Sequence, residues 1–333
     1  MDGRQKRRRT RMRYWFFLSF AGFLMSCSST AHSPDTADAH VAAARDAAAK
    51  EHVALFETVC MPATEPRPPA EASTKSSWYR EPVKVFDNLY FVGQAEHSAW
   101  AVTTSEGIII VDALWDYSVA DEIAGGLKKL GFDPATIKYV IVSHGHIDHA
   151  GGAKYLQDRF GARIILAEED WDGMSRNTQP WPKPKRDMVA LDGQKLTLGD
   201  TTLTMYKTPG HTLGTISTLI PVNDQGKPHL AVEVGGTAFN WLRGGAEYRG
   251  KPNSFWFETY SNSAQRLRDV VEKAGADVLL SNHTIYDGSK VKLPALAKRK
   301  PAEPHPYVVG TDSVKRYLTV ADECAKAGLL RFQ

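Results

Sequence analysis

The sequence predicts an α/β fold built from two sheets with helices on their outer faces, and three observations lead to that prediction. The first half of the chain carries four closely spaced β-rich runs and then alternates strand and helix patterns. The second half has the patterns of four strands, a helix, a further strand and a last helix. Neither common glycine-rich phosphate-loop pattern occurs, which disfavours a doubly wound nucleotide-binding fold. With 333 residues, of which 42% are hydrophobic, the chain can bury a sizeable core.

Residues 1–27 have the pattern of an export signal. A strongly basic start is followed by the apolar run Tyr14–Met25 and then by Ser26 and Cys27. This run is shorter than a transmembrane helix requires and is typical of a secretory signal. "LMSC" resembles the lipobox of bacterial lipoproteins, in which the cysteine, here Cys27, is acylated and anchors the protein to a membrane. An ordinary cleaved signal or an uncleaved short anchor is the alternative. We expect export to the periplasm.

Residues 28–77 are expected to form a tether and an N-terminal helix before the main domain. Residues 28–40 are rich in Ser, Thr, Ala and Asp, a composition that cannot fold alone. The alanine-rich stretch Val41–Val59 predicts a helix. Beyond Cys27 the chain has only Cys60 and Cys324. In an oxidising compartment these two would form a disulfide between the N-terminal arm and the last helix, whereas two separate buried thiols are the alternative.

The main domain is expected to span residues 78–333. In its first half the β-rich runs, turns and helical patterns predict strands at 83–86, 89–93, 98–104 and 107–112, a helix at 118–130, a strand at 139–143, a helix at 153–160 and a strand at 162–167. In its second half they predict strands near 195–198, 201–207, 215–221 and 229–235, a helix at 262–274, a strand at 277–281 and a last helix at 312–328. Basic patches with interleaved aromatics are not found after the export signal, so nucleic acid is not an expected partner.

The strongest chemical signal is "SHGHIDHAGG", residues 143–152, which places three of the eleven histidines within six positions. It follows an apolar strand and precedes a helix, where open α/β sheets place their sites. Imidazoles and carboxylates are ligands that zinc prefers. Four such groups, His144, His146, Asp148 and His149, cannot readily serve one ion from so short a loop. The loop therefore predicts two adjacent metal ions that need further ligands from elsewhere.

Two other histidines have the context that such ligands need. His211 lies in "KTPGHTLG" after a strand and a Pro-Gly turn, and His283 lies in "SNHT" directly after another strand. Each alone is typical of a structural or surface histidine. Since the loop at 144–149 requires partners, these two are its best-placed candidates.

Together "HGHIDH", "TPGHT" and "SNHT", in this order, resemble the metal-binding motifs of the metallo-β-lactamase superfamily over roughly residues 78–290. The resemblance implies an αβ/βα four-layer sandwich with two mixed sheets. It also implies two zinc ions as cofactors. The ligands carried over are His144, His146 and His211 for the first zinc and Asp148, His149 and His283 for the second.

One position distinguishes the branches of this family. Lactonase, phosphodiesterase and glyoxalase-like members carry a bridging aspartate after the strand that follows the third motif. This chain has "AVEVGGTAFN" there, with Gly236 at that position, or Thr237 if the register is shifted by one residue. Other β-lactamases place a cysteine nearby, and this chain has none between Cys60 and Cys324. The pattern is most similar to the third, cysteine-free subclass. Serines that hold the substrate carboxylate in some of its members are missing, with Ser254, Lys227 and Arg243 as candidate substitutes.

The function implied is a zinc-dependent hydrolase that acts on a small molecule. In this hypothesis a metal-bound hydroxide, oriented by Asp148 as the catalytic residue, opens the β-lactam ring. One alternative is a lactone, ester or thioester hydrolase of the same fold with little β-lactam activity. A second alternative is a metal-binding lipoprotein without catalysis.

Other side chains near these motifs leave alternatives open. His97 either faces the pocket or makes a local hydrogen bond in its loop, and the local bond is the favoured prediction. Asp112 either supports the metal loop or caps a helix. Trp115, Tyr117 and Trp241 line either a substrate cleft or the core.

Overall fold

The computed structural model describes residues 1–2, 35–65 and 74–332. Its helices and strands belong to one compact unit, Asp35–Gln333. The predicted apolar run of the export signal and the lipobox cysteine Cys27 lie outside the described residues. Among the helices that are described, none combines the length and apolar character that crossing a membrane requires.

The first sheet contains seven strands in sequential order: β1 (Val83–Lys84), β2 (Leu89–Phe91), β3 (Trp100–Thr104), β4 (Gly107–Val111), β5 (Ile137–Ile141), β6 (Arg163–Ala167) and β7 (Met188–Ala190). Its first four strands form an antiparallel meander, as predicted, and β4 to β7 run parallel. The switch at β4 brings the carboxyl ends of β4, β5 and β6 to one edge, where the loop that begins at residue 143 starts.

The second sheet has the order β12-β11-β10-β9-β8. Its strands are β8 (Gln194–Leu198), β9 (Thr201–Lys207), β10 (Ile216–Asp224), β11 (Lys227–Val234) and β12 (Val278–Ser281). Strands β8 to β11 are antiparallel, whereas β12 joins β11 in parallel, so this sheet is also mixed.

The ten α-helices among the described residues are α1 (Ala37–Ala48), α2 (Val53–Cys60), α3 (Lys75–Trp78), α4 (Gly125–Lys129), α5 (Ile147–Ala150), α6 (Ala153–Phe160), α7 (Glu168–Arg176), α8 (Asn253–Ala274), α9 (Ser289–Leu296) and α10 (Thr311–Arg331). A π-helical turn, Ala120–Ala124, runs into α4 and completes the helix predicted at 118–130. The sequence pattern missed α3, α5, α7, α9 and β7, which are all short.

Three apolar clusters define four layers. One lies between the sheets and joins Trp100 and Ile141 to Leu203 and Ile216. A second packs the helices after β4, β5 and β6 on the outer face of the first sheet. The third packs α1, α2, α8 and α10 on the outer face of the second sheet. The predicted αβ/βα four-layer sandwich is thereby confirmed.

The helix predicted at Val41–Val59 is two helices in the structure. It begins earlier, at Ala37, because the side chain of Thr36 accepts a hydrogen bond from the backbone N–H of Ala39, 3.2 Å away. It breaks at Ala49, whose φ of 46° is left-handed. After this break the buried His52 donates from Nε2 to the carbonyl oxygen of Ser313 at 3.0 Å. This contact with α10 is a tertiary one that local helix propensity cannot reveal.

Cys60 at the end of α2 forms a disulfide with Cys324 in α10. The predicted disulfide is therefore present, and the alternative of two separate thiols is wrong. Helices α1 and α2 both pack against α10 on the outer face of the second sheet. The disulfide therefore links two segments that are already in contact.

Candidate metal centre

The loop at 143–149 connects β5 to the single turn of α5. His144 and His146 precede that turn, whereas Asp148 and His149 lie within it. His211 follows β9, and His283 follows β12. Because these elements all end at the same edge of the sandwich, the structure brings the six predicted ligands together. Their assignment as ligands and the catalytic role of Asp148 stay predictions.

The first three histidines surround one point. His146 Nδ1 lies 3.2 Å from His211 Nε2, and the His144 ring centre is 4.7 Å from that of His146 and 4.5 Å from that of His211. His144 donates from Nδ1 to the carbonyl oxygen of Gly235 at 2.7 Å, and His211 does so to Ala238 at 2.6 Å. These bonds leave Nε2 of both rings facing inward. His144 Nε2 is buried without a hydrogen-bond partner among the described residues.

The other three side chains surround a neighbouring point. Asp148 Oδ2 lies 3.4 Å from His149 Nε2 and 3.8 Å from His283 Nε2. The two imidazole nitrogens are 3.2 Å apart. His149 donates from its other nitrogen, Nδ1, to Asp112 Oδ2 at 2.8 Å. The ring of His149 is thus oriented by a carboxylate, as metal-bound histidines commonly are.

The electrostatics of the cluster suit a cation. Burial and the neighbouring histidines hold the pKa of His144 well below its usual value, and they lower that of His211 to about 3, so both rings offer lone pairs. Burial would raise the pKa of Asp148, but the adjacent His149 and His97 hold it well below its usual value, so the carboxylate is ionised. Burial likewise opposes charge on His149, yet Asp148 and Asp112 raise its pKa to about 10. The carboxylates thus stabilise a positive charge at this point.

The donor set fits zinc. One ligand atom of each of His144, His146 and His211 lies within 4.8 Å of the others, and the same holds for His144, Asp148 and His149. The neutral imidazoles of His144 and His211 with their inward nitrogens, the ionised carboxylate of Asp148 and the buried His144 Nε2 without a hydrogen-bond partner are features of a zinc site. The more exposed side chains of the cluster, His146, Asp148 and His283, form its open face.

Asp112 supports the metal loop rather than capping a helix. Its Oδ1 accepts a hydrogen bond from the backbone N–H of Ser143 at 2.7 Å, and its Oδ2 accepts one from the hydroxyl of Ser143 at 2.9 Å as well as the one from His149. Asp112 is buried and has a left-handed φ of 65°, which short polar residues tolerate best. Of the two predicted roles, the structure selects support of the metal loop.

Asp170 is a site residue that the sequence analysis missed. Its buried carboxylate accepts from the backbone N–H of Gly145 at 2.8 Å and of Gly214 at 2.9 Å, and from the hydroxyl of Thr212 at 2.7 Å. One side chain therefore joins the loop of His144 to the loop of His211. The feature that could have identified Asp170 as a site residue is its position just after β6, at the same sheet edge as the other site loops.

The favoured prediction for His97, a local hydrogen bond in its loop, is wrong. His97 faces the cluster, and its Nε2 lies 3.4 Å from Asp148 Oδ2. His97, Asp148 and His283 form a further group of side chains that could hold a metal. The signal that could have found it was its position on the turn between β2 and β3, at the amino end of a strand antiparallel to β4.

The aromatic candidates divide between core and surface. Trp241 is buried and packs face to face with Trp256, so it belongs to the core. Trp115 stacks on the exposed Tyr117 and contacts His97 edge-on, with ring centres 5.8 Å apart. Trp115 and Tyr117 thus flank the open face.

The missing serines have no evident substitute among the named candidates. A side chain at Gly236 would lie 2.7 Å from His211 Cβ, so only glycine fits there without a shift. Lys227 begins β11, at the end of the strand remote from the site. Arg243 donates to the carbonyl oxygen of Ala63 at 3.2 Å, and Ser254 lies in the first turn of α8.

Comparison with known proteins agrees with the fold. Residues 92–224 match the family model of the metallo-beta-lactamase superfamily. The chain is 30% identical over 183 residues to the N-acyl homoserine lactonase AttM of Rhizobium radiobacter, covering 51% of this chain and 67% of that protein. It is 28% identical over 161 residues to a hydroxyacylglutathione hydrolase of Acidiphilium cryptum, covering 48% of this chain and 56% of that protein.

Among solved structures, the chain is similar to BJP-1, a subclass B3 metallo-beta-lactamase of Bradyrhizobium japonicum. The TM-score is 0.64 at 29% identity, and the match covers 75% of this chain and 94% of BJP-1. The similarity to the third subclass, predicted from the motifs, is confirmed by this structural match. The protein therefore belongs to the metallo-β-lactamase superfamily of metallo-hydrolases.

Proposed function

We propose that this protein is a zinc-dependent hydrolase with two metal ions that opens β-lactam rings. The observation that carries the proposal is the convergence at one sheet edge of His144, His146 and His211 and, next to them, of Asp148, His149 and His283, without a carboxylate at Gly236. That combination of Asp, His and His without cysteine or bridging aspartate is what the resemblance to the third subclass implies. The structural similarity to BJP-1 supports the same choice.

A bound zinc ion would act as a Lewis acid and would bring the pKa of a coordinated water towards about 7. The residues of the chain have separate tasks. Asp148 directs Oδ2 towards three histidines, which leaves Oδ1 to accept a hydrogen bond from the attacking water and so orient it. Asp112 fixes the tautomer and direction of His149. Asp170 keeps the two metal loops at a constant separation.

The alternative is a lactone, ester or thioester hydrolase with the same metal centre. It is favoured by a specific observation, since the AttM relative is named as an N-acyl homoserine lactonase and matches half of this chain. The missing serines also remove one expected contact to a β-lactam carboxylate. Both functions use the same nucleophile, so only the substrate distinguishes them.

The deciding experiment measures hydrolysis of nitrocefin, a carbapenem, an N-acyl homoserine lactone and a thioester by the purified full-length protein. Metal content is determined on the same preparation by mass spectrometry. Asp148→Ala removes the ligand and water-orienting group, whereas Asp172→Asn removes an exposed acid of α7 that pairs with Arg186. We expect β-lactam turnover with about two zinc ions per chain, lost in Asp148→Ala and kept in Asp172→Asn.

Two zinc ions without β-lactam turnover would refute the antibiotic substrate, and lactone or thioester turnover would then establish the alternative. Two zinc ions with no turnover of any substrate would favour the non-catalytic lipoprotein. A protein that binds no metal would refute the metal centre itself.

We also propose that the protein is exported and lipid-anchored through Cys27. The Cys60–Cys324 disulfide supports this proposal, because such bonds persist in oxidising compartments. Labelling of growing cells with a palmitate analogue should mark the wild type but not Cys27→Ser. Equal labelling of both proteins would contradict acylation at this residue.

A further inference from the structure

His97 occupies a position beside the second donor group that the six-ligand assignment leaves without a role. Its Nε2 is 3.4 Å from Asp148 Oδ2, the same separation as that between His149 Nε2 and Asp148 Oδ2. The ring centre of His97 is 4.9 Å from that of His283. His97 therefore approaches Asp148 as closely as a predicted ligand does.

The backbone holds His97 in this place. The turn closes with a hydrogen bond from the N–H of Gln94 to the carbonyl oxygen of His97 at 2.7 Å. At Gly93 an added Cβ would lie 2.6 Å from that carbonyl oxygen, so glycine permits the tight turn. His97 also forms an antiparallel bridge with His283.

The segment after the turn is tied to the loop that carries His283. The N–H of Ser98 donates to the carbonyl oxygen of Asn282 at 2.9 Å, and the N–H of Thr284 donates to that of Glu96 at 3.2 Å. Because the two histidines are paired through their backbones, their side chains leave adjacent strands on the same side. His97 is therefore a fixed part of the site rather than a loop residue that happens to lie near it.

The distances favour a shared ion over a direct hydrogen bond. An imidazole–carboxylate hydrogen bond with charge has a length of about 2.7–2.9 Å. The observed 3.4 Å is longer. Zinc–nitrogen and zinc–oxygen bonds of about 2.0–2.2 Å place the donors of one tetrahedral ion roughly 3.3–3.5 Å apart. The contacts of Asp148 with His97 and His149 have this spacing, and those with His283 and between His149 and His283 are close to it.

We propose that His97 is a fourth protein ligand of the second metal, alongside Asp148, His149 and His283. This inference rests on the proposed two-metal centre and adds a residue to it. Four protein ligands are typical of closed zinc sites, whereas catalytic sites keep an open position. The second metal would then serve mainly to fix Asp148, and the first metal, held by three histidines, would have room for substrate and water.

The test uses the full-length protein loaded with Co²⁺, whose paramagnetism shifts the imidazole N–H protons of its ligands in NMR spectra. Six histidine ligands give six shifted exchangeable resonances in the wild type, and His97→Gln should lose one of them. Competition with a chromophoric chelator gives the affinity of each metal. His97→Gln and His97→Ala should lower the affinity for the second zinc ion by about tenfold or more. The affinity for the first zinc ion should stay unchanged.

His40→Ala is the matched control, since His40 is a histidine of α1 that pairs with Asp35 and Glu323 instead. It should keep six resonances and both affinities. Circular dichroism verifies that each variant is folded. If one of the two His97 variants does not fold, the other is used for the test. A wild type with two bound metals but five resonances would overturn the inference and leave the proposed function standing. A His97→Gln protein with the wild-type spectrum would overturn the inference in the same way. A wild type that binds fewer than two metal ions would instead refute the proposed two-metal centre itself.

Discussion

His149 donates from Nδ1 to Oδ2 of Asp112 across 2.8 Å, and both side chains are buried. The same carboxylate accepts hydrogen bonds from the backbone N–H and the hydroxyl of Ser143, the first residue of the metal loop. One aspartate therefore sets both the start of the loop and the direction of its last histidine.

Replacement of Asp112 should weaken metal binding without removing a ligand. In Asp112→Ala the ring of His149 loses its orienting acceptor, and we expect a loss of about 10- to 100-fold in zinc affinity. Chelator competition measures this loss. Asp116→Asn, an exposed change on the same loop, is the control and should bind zinc as the wild type does. Unchanged affinity in Asp112→Ala would show that the ring is oriented by other contacts.

Asp170→Asn should affect both metals together, because Asp170 joins the loop of His144 to that of His211. An amide keeps the size of the side chain but turns one acceptor into a donor that faces a backbone N–H or the hydroxyl of Thr212. We expect zinc affinity to fall by about tenfold or more, with turnover falling in parallel. Asp172→Asn on the same helix is the matched control. If Asp170→Asn keeps full affinity, the two loops do not depend on this carboxylate.

Loss of the Cys60–Cys324 disulfide should destabilise the fold by about 2–4 kcal/mol. The double variant Cys60→Ala/Cys324→Ala should unfold at a lower denaturant concentration than the wild type and keep its zinc, since neither cysteine lies in the donor groups. A reductant should lower the stability of the wild type and leave that of the variant unchanged. A reductant effect of equal size on both proteins would point to a cause other than this disulfide.

Glu122 should make stability depend on pH near neutrality. Burial, opposed by the hydrogen bond from the Arg80 backbone, raises its pKa from 4.5 to about 8. Between these values the folded protein retains a proton that the unfolded chain has lost. The free energy of unfolding should therefore fall as pH rises through this range, by up to about 1.4 kcal/mol per pH unit.

Glu122→Gln removes that proton equilibrium, so the variant should be more stable than the wild type at pH 8 and should show a shallower slope. Urea unfolding at several pH values measures both. Asp158→Asn alters an exposed acid of α6, which pairs with Lys154, and should keep the wild-type slope. A wild-type slope in Glu122→Gln would place the titrating group elsewhere.

The metal loop could be predicted from the sequence because its information is local. Four of the six predicted ligands lie within residues 144–149, and the strand and helix on either side follow from short apolar patterns. His211 and His283 could be added because both follow strands, and strand ends meet at one sheet edge. The first sheet's meander was predictable for the same reason, since its turns and strands are close in sequence.

The errors have a common physical origin in contacts between distant parts of the chain. His97 was expected to hydrogen bond within its loop, but the backbone pairing with His283 turns it to the site. The break at Ala49 depends on packing against α10 rather than on the helix-forming residues around it. Asp170 looks like any acid in the first turn of a helix until Gly145 and Gly214 are brought against it.

The sequence by itself determined the two-sheet α/β class and most of the strands along the chain, because periodicity is a property of neighbouring residues, and its motifs, through their resemblance to a known family, implied the four-layer arrangement and the six predicted ligands. Only the tertiary structure decided which further side chains complete the site. His97, Asp112 and Asp170 reach it from three separate strand ends, and no local pattern distinguishes them from other polar residues. Their roles follow from the convergence of those strand ends at one edge, where polar side chains from distant parts of the chain come into contact.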